Sequence, residues 1–184
     1  MNDTIQHHGV EGQKWGIKNG PPYPLNRTET YEKCQNLYDF CKKIKYADFS
    51  KLQTPLETER TEKGSCHDQV MYELKLCKKY GLNADARFVM EVEPKTGQGG
   101  DTHSYVYIKD NNCIHWIENA FEGEKGIHTF KNTEEIDKYF IKQHKGNRFG
   151  NSSSYPELIF SDFKPNKHKY GETLQELVDI CLED

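Results

Sequence analysis

No Cys-x-x-Cys pair occurs among the six cysteines, Cys34, Cys41, Cys66, Cys77, Cys113 and Cys181. That spacing removes the dithiol redox motif and the paired-cysteine zinc knuckle, and it is too wide for a small disulfide scaffold. Reduced thiols in a cytosol are the expectation. Long apolar runs are also missing: none approaches the roughly 18 residues that a membrane helix needs. Met1 to His8 has neither the basic start nor the apolar middle of a secretory signal, so export by the usual route is not expected. Excess positive charge is absent too. The 25 Lys and Arg are interspersed among 29 Asp and Glu, for a net charge of −4, which leaves no electrostatic footprint for nucleic acid. Apolar residues make up only 34% of the chain, below the usual range of about 45–50%. The 12% of aromatics nevertheless supports a small core under a very polar surface rather than general disorder. The length of 184 residues suits one domain with a real core.

Glycine and proline punctuate residues 1–27 every few positions, and no helical or strand period survives there. Residues 1–27 therefore read as an extended tail or docking segment, and residues 28–184 as a single domain. A helix is predicted from about Thr28 to Lys45 with Tyr31, Cys34, Leu37, Tyr38, Cys41 and Ile44 recurring every three or four residues, and with Asn26 and Glu29 spaced as a capping box. Ser50 to Lys63 reads as a polar loop. A second helix starts at Ser65 or Cys66, buries Val70, Met71, Leu74 and Cys77, and stops at Gly81. Three strands follow, Ala86 to Glu93, His103 to Lys109 and Cys113 to Glu118, the last two joined by a polar hairpin turn at Asp110-Asn111-Asn112. Thr133 to His144 forms a helix, Gly146 to Ser154 a loop, Leu158 to Phe163 a strand, and Thr173 to Leu182 a last helix with Thr173 and Glu176 as its capping box. The fold class is α+β, a helix packed on a mostly antiparallel sheet.

The chemistry concentrates at Cys66. A cysteine is a nucleophile as its thiolate, and the first turn of a helix favours negative charge through its unpaired N–H groups and dipole. The Cys66 N–H is itself free to help hold an oxyanion. His103 opens a strand and Glu118 closes the next one, 15 residues later, so a simple hairpin register brings them to one end. The carboxylate would then orient the imidazole and stabilise its charged form. The other five cysteines read as packing residues. A competing grouping is a metal site of Cys113, His115 and His103, for which the sequence offers no fourth ligand. No metal or other cofactor is assigned.

The run Gly64-Ser65-Cys66-His67-Asp68, then Tyr80-Gly81-Leu82 and Ala86-Arg87-Phe88-Val89, resembles the transglutaminase-like core pattern of Gly-x-Cys-x-Asp, a helix ending in Leu-Gly-Ile-Pro, and Ala-Arg-x-Val. The resemblance covers about residues 60–120. It implies the transglutaminase-like, papain-like cysteine hydrolase fold, with Cys66, His103 and Glu118 as nucleophile, base and orienting carboxylate. Glu118 stands where the family usually has Asp, and Tyr105 where it usually has Trp. Family members hydrolyse peptides, deamidate or cross-link glutamine, remove glycans from asparagine, or acylate amines, through a thioester or similar intermediate. The chain has no Asp-x-Asp calcium loop, which speaks against calcium-dependent cross-linking.

His7-His8-Gly9-Val10-Glu11-Gly12-Gln13-Lys14-Trp15-Gly16 resembles a His-Gly-x-x-Gly-x-x-Trp-Gly element of tailed-bacteriophage structural and head-assembly proteins. The two resemblances together imply a phage-encoded peptidase acting on itself or on virion or host proteins, in the bacterial cytoplasm or attached to a virion. Its partner is then a peptide or protein substrate, its own amino-terminal segment included. Trp15, Tyr105 and Trp116 are the candidate substrate or partner contacts. The alternative is a catalytically silent virion-associated or adaptor module that binds through residues 7–25. Neither nucleic acid nor membrane is an expected partner.

Overall fold

The computed structural model describes residues 28–48, 50–145 and 157–183. The 1–27 segment with Trp15, and the loop read at Gly146 to Ser154, lie outside them.

Helix α1 (Glu29–Cys41) is capped by Thr28, whose hydroxyl accepts from the Tyr31 N–H at 3.0 Å. Thr28 thus holds the role expected of Asn26, and the helix ends four residues short of Lys45. The chain there leaves for strand β1 (Lys45–Tyr46), which pairs in parallel with β2 (Lys63–Gly64). Between them lies α2 (Pro55–Thr61), a helix where a loop was expected. Its signals are local and sufficient: Pro55 sits in the first turn, where a missing N–H costs nothing, and Thr54 with Glu57 forms a capping box.

Helix α3 (Cys66–Lys79) starts at the Ser65 cap and ends as expected, with Gly81 at φ +67 and the Leu82 N–H bonded to the Cys77 carbonyl at 2.9 Å. That positive φ is where glycine is favoured. Then come β3 (Ala84–Glu93), β4 (Gln98–Asp110), β5 (Cys113–Glu118), β6 (Gly126–Phe130), α4 (Thr133–Lys145), β7 (Glu157–Phe163) and α5 (Leu174–Leu182). The class is α+β, with a five-stranded antiparallel sheet in the order β6-β5-β4-β3-β7. Strand β6 was not anticipated; it is short, and only Ile127 and Phe130 carry an apolar signal.

Two cores form because strand residues alternate between faces. One contains Phe88, Val106, Ile108 and Ile117 with Leu37 of α1, Val70 and Leu76 of α3 and Leu177 of α5. The other contains Val89, Tyr105, Tyr107 and Trp116 with Ile136 and Phe140 of α4. Arg87 joins sheet to helix, reaching Asp137 of α4 at 2.5 Å and Asp162 of β7 at 3.1 Å. Among the described residues no helix is long and apolar enough to cross a membrane.

Candidate active site

The start of α3 is held by a dense set of bonds around Asp68. Its Oδ2 accepts from both the N–H and the hydroxyl of Ser65 at 2.8 Å, its Oδ1 accepts from the Gln53 N–H at 2.7 Å, and its own N–H donates to the Ser65 hydroxyl. The capping box therefore fixes the first turn, with Cys66 as its first helical residue. Gly64 is there for space. A Cβ at that position would stand 2.9 Å from the Asp68 Cβ and 3.2 Å from the Thr58 Cγ2. The run from Gly64 to Asp68 thus has a physical account: a close approach, a cap, the thiol, and the cap's reciprocal acid.

His103 and Glu118 come from neighbouring strands. Val106 faces Ile117 in the β4–β5 ladder, so Glu118 lies diagonal to His103 on the same face of the sheet. His103 Nε2 meets Glu118 Oε2 at 2.7 Å. The other carboxylate oxygen accepts from the N–H groups of Ala120 and Phe121 at 2.8 and 2.7 Å. These bonds immobilise the carboxylate. With Nε2 committed to Glu118, Nδ1 is the ring nitrogen left for the thiol, and Cys66 and His103 lie near enough for each to shift the other's charge.

Charge follows from this geometry. Burial, the largest influence on Cys66, would push the thiol up. The influence of His67 and His103 overrides it and brings the thiol down to about 5. Burial would lower His103, but the Glu118 carboxylate and Cys66 raise it to about 10. The two shifts run in the direction that favours a thiolate beside an imidazolium. Both are nearly covered, Cys66 at 4% exposure and His103 at 7%.

The other five thiols go the opposite way. Burial raises Cys34 and Cys181 to about 12, and raises Cys41, Cys77 and Cys113 as well. Cys181 gives the sharpest contrast, because it also has a histidine and an acid in series. Its Sγ lies 3.7 Å from His168 Nε2, and His168 Nδ1 lies 2.7 Å from Glu172. His168 is pushed down by burial, so no imidazolium supports a thiolate there. Series connectivity alone does not make a nucleophile; the charge state does.

Three further groups at the site were not singled out from the sequence. His67 packs beside Cys66, its Nδ1 2.9 Å from the Ser104 hydroxyl and its Nε2 3.2 Å from the Thr102 hydroxyl. Glu73, two turns along α3, accepts from the Asn119 amide at 2.7 Å; burial, above all, and then Glu118 raise it to about 8. Tyr46 of β1 lies near enough to Cys66 to feel its charge and is hydrogen-bonded to Asp48. Only His67 had a local signal, its position next to the thiol.

The structure revises two readings. Tyr105 and Trp116, expected as substrate contacts, are buried at 1% and 0% exposure in the cluster under α4. Their rings are used up on each other and on Phe140, with centroids 5.1 to 5.4 Å apart, and Tyr105 also backs His103 at 6.1 Å. Neither ring leaves a face open to solvent. Nor does His103 join Cys113 and His115; Asp110 of the hairpin does. No protein-family model matches the chain, and no curated protein matches its sequence.

Proposed function

We propose that this chain is a cysteine-dependent amide-bond hydrolase or acyltransferase of transglutaminase-like type. Cys66 is the nucleophile, His103 the general acid and base, and Glu118 the carboxylate that keeps the imidazole oriented and charged. The observation that carries this reading is geometric: Cys66 is the first residue of the capped helix α3, and His103 is held by Glu118 at 2.7 Å. In this arrangement the Cys66 thiol is lowered while every other thiol is raised. The reaction requires the Cys66 thiolate to attack an amide carbonyl and form a C–S bond. The oxyanion is met by N–H groups at the start of α3, and the His103 imidazolium gives its proton to the departing amine as the C–N bond breaks. Water deprotonated by His103 then cleaves the thioester, or an amine takes the acyl group instead. The resemblance of Gly64 to Asp68 and of Ala86 to Val89 to the transglutaminase-like pattern supports the same roles.

The favoured substrate is a peptide, and the amino-terminal resemblance to phage structural proteins favours virion or host proteins, or the chain's own residues 7–25. A second reading, a silent adaptor module, draws support from the near-complete burial of Cys66 and His103. Mass spectrometry of peptide mixtures and of the protein itself after incubation separates the two. The hydrolase reading expects a mass change in wild type that Cys66→Ala abolishes, and identical products from both proteins contradict it.

A further inference from the structure

The β4–β5 hairpin carries a second cluster, at its turn. His115 Nε2 faces Asp110 Oδ2 at 3.2 Å and Cys113 Sγ at 3.9 Å, and the three donor atoms all lie within 4.8 Å of one another. Around a tetrahedral zinc ion, with bonds of about 2.3 Å to sulfur and about 2.0 Å to nitrogen and oxygen, ligand atoms stand roughly 3.3–3.6 Å apart. The His115–Asp110 pair, at 3.2 Å, is near that spacing, and Cys113, 3.9 Å from His115, would close on the ion. A single ring N–H can serve only one of the two acceptors that face it, whereas one cation satisfies carboxylate, sulfur and nitrogen together.

The supporting contacts are those of a ligating set. His115 Nδ1 is held by the Thr129 hydroxyl at 3.0 Å, which fixes the ring and aims Nε2 at the cluster. Asp110 Oδ1 accepts from the Asn111 N–H at 2.9 Å, and its Oδ2 also accepts from the Thr28 hydroxyl. Outer bonds of this kind orient metal-bound histidines and carboxylates. The side chains of Asp110 and His115 are only 4% and 1% exposed, so charge balance counts. A carboxylate, a thiolate and a neutral imidazole sum to −2, which a divalent cation neutralises.

We propose that Asp110, Cys113 and His115 bind one divalent transition-metal ion of the zinc class, with a fourth position open to water. A mixed set of oxygen, sulfur and nitrogen donors selects zinc over magnesium or calcium. The site is separate from Cys66: His103 lies seven residues back along β4, about 23 Å at roughly 3.3 Å per residue. Its role is a clip, tying the Asn111-Asn112 turn to the start of α1 through Thr28.

Cobalt(II) titration of the full chain, reduced and stripped of metal, tests this directly. One equivalent should bind wild type and give the intense sulfur-to-cobalt absorption and tetrahedral ligand-field bands. Cys66→Ser should keep both, Cys113→Ser should lose the sulfur band, and Asp110→Asn should weaken binding at least tenfold. In wild type, one equivalent of zinc should also slow maleimide labelling of Cys113 at least tenfold without slowing that of Cys66. This last measurement needs no folded variant. No sulfur-to-cobalt band in wild type overturns the proposal, as does a band that survives Cys113→Ser or disappears in Cys66→Ser. Unchanged labelling of Cys113 under zinc also overturns it.

Discussion

His103 and Glu118 meet at 2.7 Å across adjacent strands, and the far oxygen of that carboxylate is bound by two backbone N–H groups. Glu118 cannot swing away from the imidazole without abandoning both. Its charge therefore acts on His103 continuously, and through His103 on Cys66.

Glu118→Gln keeps the shape and removes the charge. With less support for the imidazolium, His103 falls from about 10; with less support for the thiolate, Cys66 rises from about 5. The window in which both are charged narrows from both sides. The pH profile of Cys66 alkylation should show the acid limb moving up and the alkaline limb moving down, each by on the order of one unit. An unchanged profile would mean that Glu118 only holds the backbone at Ala120 and Phe121.

Gly64→Ala should perturb the site before it perturbs the sheet. The added methyl meets the Asp68 Cβ at 2.9 Å, and Asp68 cannot retreat while it caps α3 and holds Gln53. A loss of about 1–3 kcal/mol is expected from this overpacking, with slower Cys66 alkylation. Urea unfolding and labelling rates read the two effects. Wild-type values for both would show that the cap tolerates the shift.

Glu73 gives a stability test that is independent of catalysis. Its folded value is raised to about 8, so between the ordinary carboxylate range and pH 8 the folded chain keeps a proton that the unfolded chain has shed. Stability from this group therefore falls as pH rises through that window. Glu73→Gln keeps an acceptor for the Asn119 amide and has nothing to titrate. The variant should match or exceed wild type at pH 8, and its urea midpoint should fall less between pH 5 and pH 8. A variant that falls as steeply as wild type would remove Glu73 from the account.

Trp116→Ala should act on folding and not on substrate recognition. The ring is fully buried, 4.5 Å from the His128 ring and 5.1 Å from Phe140 by centroid. Truncation should cost about 3–5 kcal/mol, read as a lower urea midpoint. Little loss of stability would contradict this packing role for Trp116.

Much of the arrangement was legible because it is local. Cys66 at a helix start follows from Ser65 and Asp68 three apart, and the meeting of His103 and Glu118 follows from a short turn and strand alternation. The parts that escaped the sequence depend on distant chain. Alternation puts Tyr105 and Trp116 on one face, but it does not say that α4 covers that face. Asp110 replaces His103 beside Cys113 and His115 because the ladder pairs Asp110 with Cys113, while His103 lies seven residues away along β4. The pairing of Glu73 with Asn119 spans 46 residues and leaves no local pattern. Helix α2 was the exception: Thr54, Pro55 and Glu57 announce it, and the polar character of the segment obscured them.

The central claim, that the fold holds Cys66 as a thiolate, is tested most directly by site-resolved iodoacetamide labelling at pH 6. Cys113 is the more exposed thiol but is raised by burial, whereas Cys66 is lowered to about 5 and only 4% exposed. Exposure and charge therefore predict opposite orders. Cys66 should label first, ahead of Cys113 and Cys77, and His103→Ala should slow it by about tenfold or more as the thiolate fraction falls. Labelling of Cys113 ahead of Cys66, or a Cys66 rate unchanged by His103→Ala, would contradict the account.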